Sequence, residues 1–191
     1  MRLSNRQLRT LIGIGAIAAP TVHTLTDIAE LLSGGFSAPQ LWANYVAFSI
    51  VPFAVMGLYA MQRPAIGAVG LLGALLYGFS FVFFTHTTLY ALAESVADYS
   101  SLWSRLGDIY TVHGLVMIIG GLAFGAASYR ARVFPGWTSI MFCAGVLVNL
   151  FLTVLAVPDV LQTLGSALRN LGLVGMGAHL VFGPTAGPSA R

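Results

Sequence analysis

The sequence predicts an all-α integral membrane protein, a bundle of about six transmembrane helices. Of its 191 residues, 57% are hydrophobic and only 8% are charged, and the chain contains no lysine. The few charges divide the chain into uncharged stretches of about 17 to 32 residues, and a helix needs roughly 20 residues to cross about 30 Å of hydrocarbon. We therefore expect one transmembrane domain over residues 1–183. The tail over 184–191, rich in Pro, Gly, Ser and Ala, is expected to be flexible.

Turn signals mark the limits of the helices. Segments 33–39, 62–64 and 133–137 and the single residue Pro158 interrupt the apolar stretches with proline or glycine. The long connection over about 94–109 is expected to form an interfacial helix or a structured loop at headgroup depth. The predicted helices cover residues 10–32, 41–61, 65–93, 110–129, 136–157 and 160–183.

The charges also predict how the helices are oriented. With six spans, seven of the nine arginines fall on the side of the two termini, and all six carboxylates fall on the opposite side. Basic residues accumulate on the cytoplasmic side, so we expect both termini in the cytoplasm of a bacterial-type inner or plasma membrane. The net charge of +3 then reflects topology and not a nucleic-acid-binding surface. Cleavage of residues 1–18 as a signal peptide is the alternative, although the apolar run continues beyond Ala18.

Three ionisable residues share one stripe of the first predicted helix. His23, Asp27 and Glu30 are spaced i, i+4 and i+7, which places them within about 60° of arc around the helix axis. A carboxylate one turn from a histidine can fix the imidazole tautomer and raise its basicity. Ionisable groups inside a membrane are costly and usually functional. The alternative is that Asp27 and Glu30 simply face water at the outer end of the helix.

Residues from other helices are expected to meet this stripe at one cavity in the outer leaflet. One face of the third helix carries Phe79, Phe83, His86 and Tyr90, followed one turn later by Glu94. Packing is the competing interpretation of such an aromatic stripe. The predicted catalytic residues are His23, Asp27, Glu30, His86 and Glu94. The predicted substrate-binding residues are Phe79, Phe83, Tyr90, Asp98, Trp103, His113, Asn149 and Arg169.

Arg169 lies alone in an uncharged stretch of the last predicted helix. Its guanidinium group must pair there with a carboxylate, a backbone carbonyl or an anionic ligand. The chain has no nucleophile elbow, no HExxH motif and no phosphate-binding glycine loop, and its single cysteine, Cys143, excludes a cysteine pair. We therefore expect an enzyme without a cofactor or a bound metal.

Other functions remain open at this point. The principal alternative is an electron-transfer protein that binds a quinone or haem b, with the haem held by His86 and His113 at similar depth. A zinc site formed by His23, His86 and His113 has weaker support. A proton-coupled carrier or a structural membrane subunit is the third class.

The overall plan of the chain resembles that of the small integral-membrane terpene cyclases, which pair acidic residues with aromatic helices. The resemblance rests on the carboxylates Asp27, Glu30, Glu94 and Asp98 and on the aromatic residues Phe79, Phe83, Tyr90 and Trp103. It implies acid–base chemistry, a protonation with cyclisation or an isomerisation, on a lipid-soluble, isoprenoid substrate. A buried carboxylic acid would deliver the proton, and aromatic faces would stabilise a carbocation by about 0.5–2 kcal/mol each. The expected partners are this hydrophobic substrate and the membrane lipids, and no nucleic acid.

Overall fold

The structure, a computed structural model, describes residues 4–154 and 159–184, and this part of the chain is all-helical. Seven helices follow one another without strands between them in these ranges. The helices are α1 (Asn5–Ser33), α2 (Ala38–Met61), α3 (Gly67–Ala93), α4 (Tyr99–Leu106), α5 (Asp108–Ala131), α6 (Gly136–Val154) and α7 (Asp159–Phe182). The predicted flexible tail lies outside the described residues apart from Pro184, and so do residues 1–3 of the possible signal peptide.

Four helices are long and apolar enough to cross a membrane, namely α1, α2, α3 and α5. This finding confirms the coarser prediction of a helical membrane protein. Helix α1 begins earlier than the apolar run predicts, because Ser4 and Gln7 form a reciprocal capping box at its start. The connection predicted over 94–109 contains the short helix α4.

The six long helices close into a ring. Each packs against the next, in the order α1, α2, α3, α5, α6 and α7, and α7 packs back against α1. Short connections make consecutive helices antiparallel, so α1, α3 and α6 end where α2, α5 and α7 begin. We call this the carboxylate end, because the acidic residues lie on it: Asp27, Glu30, Glu94, Asp98, Asp108 and Asp159.

The opposite end of the ring is solidly packed. Leu58, Tyr77, Phe124 and Phe142 are fully buried there. Helices α3 and α5 approach so closely that a Cβ atom at Gly73 would collide with the backbone of Phe124. This packed half lies beneath the open half at the carboxylate end.

Arg9 fixes the closure of the ring between its first and last helices. Its Nε donates to the carbonyl oxygen of Leu180 at 2.8 Å, and its second guanidinium nitrogen donates to that of His179 at 3.1 Å. These carbonyls belong to the last turn of α7, where C=O groups lack an N–H donor from a following helical turn. The His179 carbonyl also accepts a hydrogen bond from the Gly183 amide. The N-terminal half of α1 is therefore held against the end of α7.

Candidate functional site

The ring encloses a cavity of about 370 Å³ that opens toward the carboxylate end. All seven helices contribute to its wall. His23 lies about ten residues before the end of α1, and Arg169 lies about ten residues after the start of α7. At 1.5 Å per residue, the floor is about 15 Å below this end of the bundle. The volume falls within the range of about 300–1,000 Å³ that is common for small-molecule sites.

His23 and Asp27 lie side by side on the floor. The Nε2 atom of His23 is 3.5 Å from Oδ1 of Asp27, one turn further along α1. His23 is only 7% exposed, and its ring meets Phe48 edge-on at a centroid distance of 4.6 Å. Its Nδ1 atom is buried and has no hydrogen-bond partner among the described residues. Asp27 presents part of its carboxyl group to the cavity, and Ser166 of α7 lines the same cavity.

Arg169 completes the floor from α7. It is 3% exposed, and its guanidinium carbon lies 5.7 Å from the ring centroid of Phe81. One guanidinium nitrogen contacts the sulfur of Met117 at 3.5 Å, and sulfur is a weak acceptor. The Nε atom is buried without a hydrogen-bond partner in the described part of the chain.

Polar contacts fix the wall on the α1–α2 side. The Thr26 hydroxyl donates to the carbonyl oxygen of His23 at 2.7 Å and lies 2.5 Å from Oδ1 of Asn44. The Gln40 amide donates to a carboxylate oxygen of Glu30 at 3.5 Å. Asn44 and Glu30 line the cavity, so these contacts set the spacing between its acidic stripe and α2.

Helix α4 lies over the mouth of the cavity. Asp98 caps its N-terminus by accepting a hydrogen bond from the Ser101 amide at 2.7 Å, and this bond lowers the pKa of the Asp98 carboxyl. Tyr99 packs against Tyr110 at a centroid distance of 5.7 Å, and burial raises the pKa of its phenol. The Phe36 amide donates to the carbonyl oxygen of Ala97 at 2.7 Å. This bond joins the α1–α2 connection to the α3–α4 connection above the cavity.

The structure places six of the predicted site residues at the cavity wall and seven outside it. The residues at the wall are His23, Asp27, Glu30, Asp98, Asn149 and Arg169. The residues outside it are Phe79, Phe83, His86, Tyr90, Glu94, Trp103 and His113.

The face of α3 that lines the cavity is opposite to the face that the sequence suggests. Phe79 is 58% exposed and His86 is also exposed, whereas Phe81 and Phe84 line the cavity. The two faces are about half a turn apart at 100° per residue. Both faces are apolar because one contacts lipid and the other the interior, so hydrophobicity could not choose between them. Glu94 directly follows the last residue of α3 and is exposed at the end of the helix.

Three other residues outside the cavity make packing or hydrogen-bond contacts in the helices around it. Tyr90 packs in the small cluster beneath α4, and the Trp103 indole donates to the Thr111 hydroxyl at 3.1 Å. His113 stacks on Phe83 at a centroid distance of 3.8 Å. A haem held by His86 and His113 would therefore lie outside the cavity. The described residues contain no group of three or more His, Cys, Asp or Glu side chains placed to hold a metal ion.

Sequence reasoning missed several residues of the cavity wall. Asn44 and Phe48 contribute from α2, and Thr87 and Thr88 contribute from α3. Asn44 is an amide within an apolar helix, and this signal could have identified it. The two threonines give no such signal, because their hydroxyls bond to carbonyls of their own helix.

Comparison with known proteins supplies no template for this cavity. No protein-family model matches the chain, and neither a curated protein nor a solved structure matches it. The residues of the cavity are therefore the basis on which a function is assigned.

Proposed function

We propose that the protein is a membrane-embedded enzyme that carries out acid–base chemistry on a lipid-soluble substrate of the isoprenoid type. The reaction is an isomerisation or a protonation with cyclisation. The observation that carries this proposal is the His23–Asp27 pair on the floor of a cavity with aromatic walls. An apolar molecule fits such walls, and the pair supplies groups that can exchange a proton with it.

Asp27 is the residue that we assign to proton transfer. Its side chain is 18% exposed, and it lines the cavity, whereas His23 is almost fully buried behind it. We assign His23 as a positioning residue, because its Nε2 lies 3.5 Å from the carboxyl group and its imidazole packs edge-on against Phe48. A positioned general acid or base typically contributes about 10²–10⁴-fold to a rate.

We also propose that all six long helices span the membrane, with both termini in the cytoplasm and the cavity open toward the outer leaflet. The ring of alternating helices supports this orientation, and so do the described arginines at the opposite end from the carboxylates, Arg6, Arg9, Arg63, Arg130 and Arg132. Reporter fusions after Arg132 should behave as cytoplasmic, and fusions near Asp98 should behave as external. An external signal after Arg132 would contradict the six-span topology.

The assignment of Asp27 is tested with the isosteric substitution Asp27→Asn. The purified protein in nanodiscs is screened against prenylated and polyene lipids, and products are identified by mass spectrometry. Asp27→Asn keeps the shape of the side chain but removes the transferable proton, so we expect turnover to fall at least ~10²-fold. The matched control is Asp108→Asn, an exposed carboxylate at the same end of the bundle but outside the cavity.

The control should retain its activity. Full turnover by Asp27→Asn on a substrate that the wild type converts would refute the proton-transfer role. A Soret band in the absorption spectrum of the purified protein would favour the haem-binding alternative.

A further inference from the structure

The guanidinium group of Arg169 has hydrogen-bond donors that the described residues do not use. It carries five N–H donors, and its hydrogen bond in this part of the chain is the weak one to the sulfur of Met117. None of the carboxylates whose placement is described lies within ion-pair distance of Arg169. Buried donors are normally satisfied. The floor of the cavity is therefore suited to a ligand that brings an acceptor oxygen.

The surroundings restrict the kind of oxygen. Asp27 lies on the same floor, and Glu30 and Asp98 line the approach to it. Carboxylates along this path repel an anionic ligand, whereas a neutral carbonyl group is not repelled. Phe48 and Phe81 add apolar walls on which a conjugated carbon chain can pack.

We infer that the substrate is a lipid-soluble unsaturated carbonyl compound whose oxygen is bound by Arg169 while Asp27 moves a proton on the adjoining carbon chain. This inference rests on the proposed acid–base function and names its substrate class. The Asp27 carboxylate takes a proton from the carbon next to the conjugated system. The electron pair of the broken C–H bond enters the conjugated system of the substrate and shifts the carbonyl π pair onto oxygen. The same carboxyl group returns the proton to another carbon, so the C=C bond moves and no oxidant or reductant is consumed.

The position of Arg169 favours an anionic intermediate over a carbocation. An enolate oxygen gains charge where the guanidinium donors can bind it, as at other sites that stabilise oxyanions. A carbocation on the floor would instead meet a fixed positive charge. The ring of Phe81 already faces that charge, with the guanidinium carbon 5.7 Å from its centroid. The same cavity is thus better suited to isomerising an enal or enone than to cyclising a polyene.

The experiment compares two probes with the same branched chain, the aldehyde farnesal and the hydrocarbon farnesene. The chain contains no lysine, so the aldehyde has no lysine side chain with which to form an imine. Binding is measured as the ligand-induced shift in unfolding temperature of the full-length protein. Proton transfer is measured in D₂O as deuterium incorporation into farnesal by mass spectrometry.

We expect farnesal to stabilise the wild type more than farnesene does and to take up deuterium. Arg169→Met should abolish the preference for the aldehyde and lower the exchange rate about 10²–10³-fold. Arg169→Lys keeps the charge but loses the planar fork of donors, so its exchange rate should lie between the two. Asp27→Asn should lose exchange at least ~10²-fold while still preferring the aldehyde. The matched control Arg105→Met removes an exposed arginine outside the cavity and should match the wild type.

The outcomes separate this inference from the function on which it rests. Equal binding of farnesene and farnesal, or exchange that survives in Arg169→Met, would overturn the carbonyl assignment. Asp27-dependent conversion of a polyene by Arg169→Met would do so as well and would leave the acid–base function standing. An aldehyde preference that needs Arg169, together with no deuterium exchange in the wild type, would instead overturn the acid–base function, whereas normal exchange in Asp27→Asn would overturn the assignment of proton transfer to Asp27.

Discussion

Arg169→Met should raise the stability of the protein although it removes a cation from the candidate site. Arg169 is 3% exposed, and its described polar contact is the one with the Met117 sulfur. Burying a charge without a close counter-ion is costly. Methionine has a similar length and suits an apolar site.

The size of the effect follows from two opposing contributions. Replacing all the charged members of a buried ionic group with apolar residues of similar volume often stabilises a protein by about 1–4 kcal/mol, and Arg169 has no ion-pair partner among the described residues that its removal would leave unpaired. The substitution also removes the cation–π contact with Phe81, which contributes about 0.5–2 kcal/mol. We expect a net gain of about 1–2 kcal/mol in the free energy of unfolding. For a chain of this size each kcal/mol shifts the unfolding temperature by about 2–4 °C, so the expected rise is about 2–8 °C.

The assay is thermal unfolding of purified protein in one detergent, without added ligand. Arg105→Met serves as the control, because Arg105 is exposed on α4 and surface substitutions usually change stability by less than about 0.5 kcal/mol. A fall of several degrees for Arg169→Met would refute the reasoning. Arg169 would then have a strong counter-ion in the folded protein, and its N–H donors would not be available to bind a ligand.

Two further predictions concern the walls and the mouth of the cavity. Gly114 lines the cavity, and a Cβ atom there would meet no atom within 4 Å, so Gly114→Leu should fold normally yet abolish ligand-induced stabilisation in a thermal-shift assay. Asp98→Ala should weaken the cap of α4 by about 0.5–2 kcal/mol and speed amide hydrogen exchange in that helix. Because the folded pKa of Asp98 is lowered, the stability that this cap contributes is complete above the unfolded pKa of ~3.9. It is lost as pH falls through the folded pKa. The wild type and the alanine variant should therefore converge in acid, and a difference that persists there would exclude the capping role.

The pair on α1 could be predicted from the sequence because its geometry is local. His23 and Asp27 are four residues apart on one helix, so the helix alone brings their side chains together. Glu30 follows on the same stripe and also lines the cavity. Arg169 stood out as an isolated charge within an apolar stretch. In each case the cost of an ionisable group in lipid was the signal.

The face of α3 could not be predicted in this way. Phe79 and Phe83 were expected to line the site, but Phe81 and Phe84 line it instead. In a soluble protein the outward face of a helix is polar and shows its rotation. A helix in lipid has apolar residues on both faces, so the pattern of α3 contains no such information.

The sequence by itself determined the helical membrane fold and the gathering of the carboxylates at one end, because sparse charges limit where helices in lipid can end. Tertiary structure decided the rest. Packing of α7 against both α1 and α6 closes the ring and sets the rotation of each helix about its own axis. That rotation leaves Arg169 beside Phe81 with no described carboxylate as its ion-pair partner. Such contacts between residues far apart in the chain depend on side-chain fit across helices, which no local pattern in the sequence records.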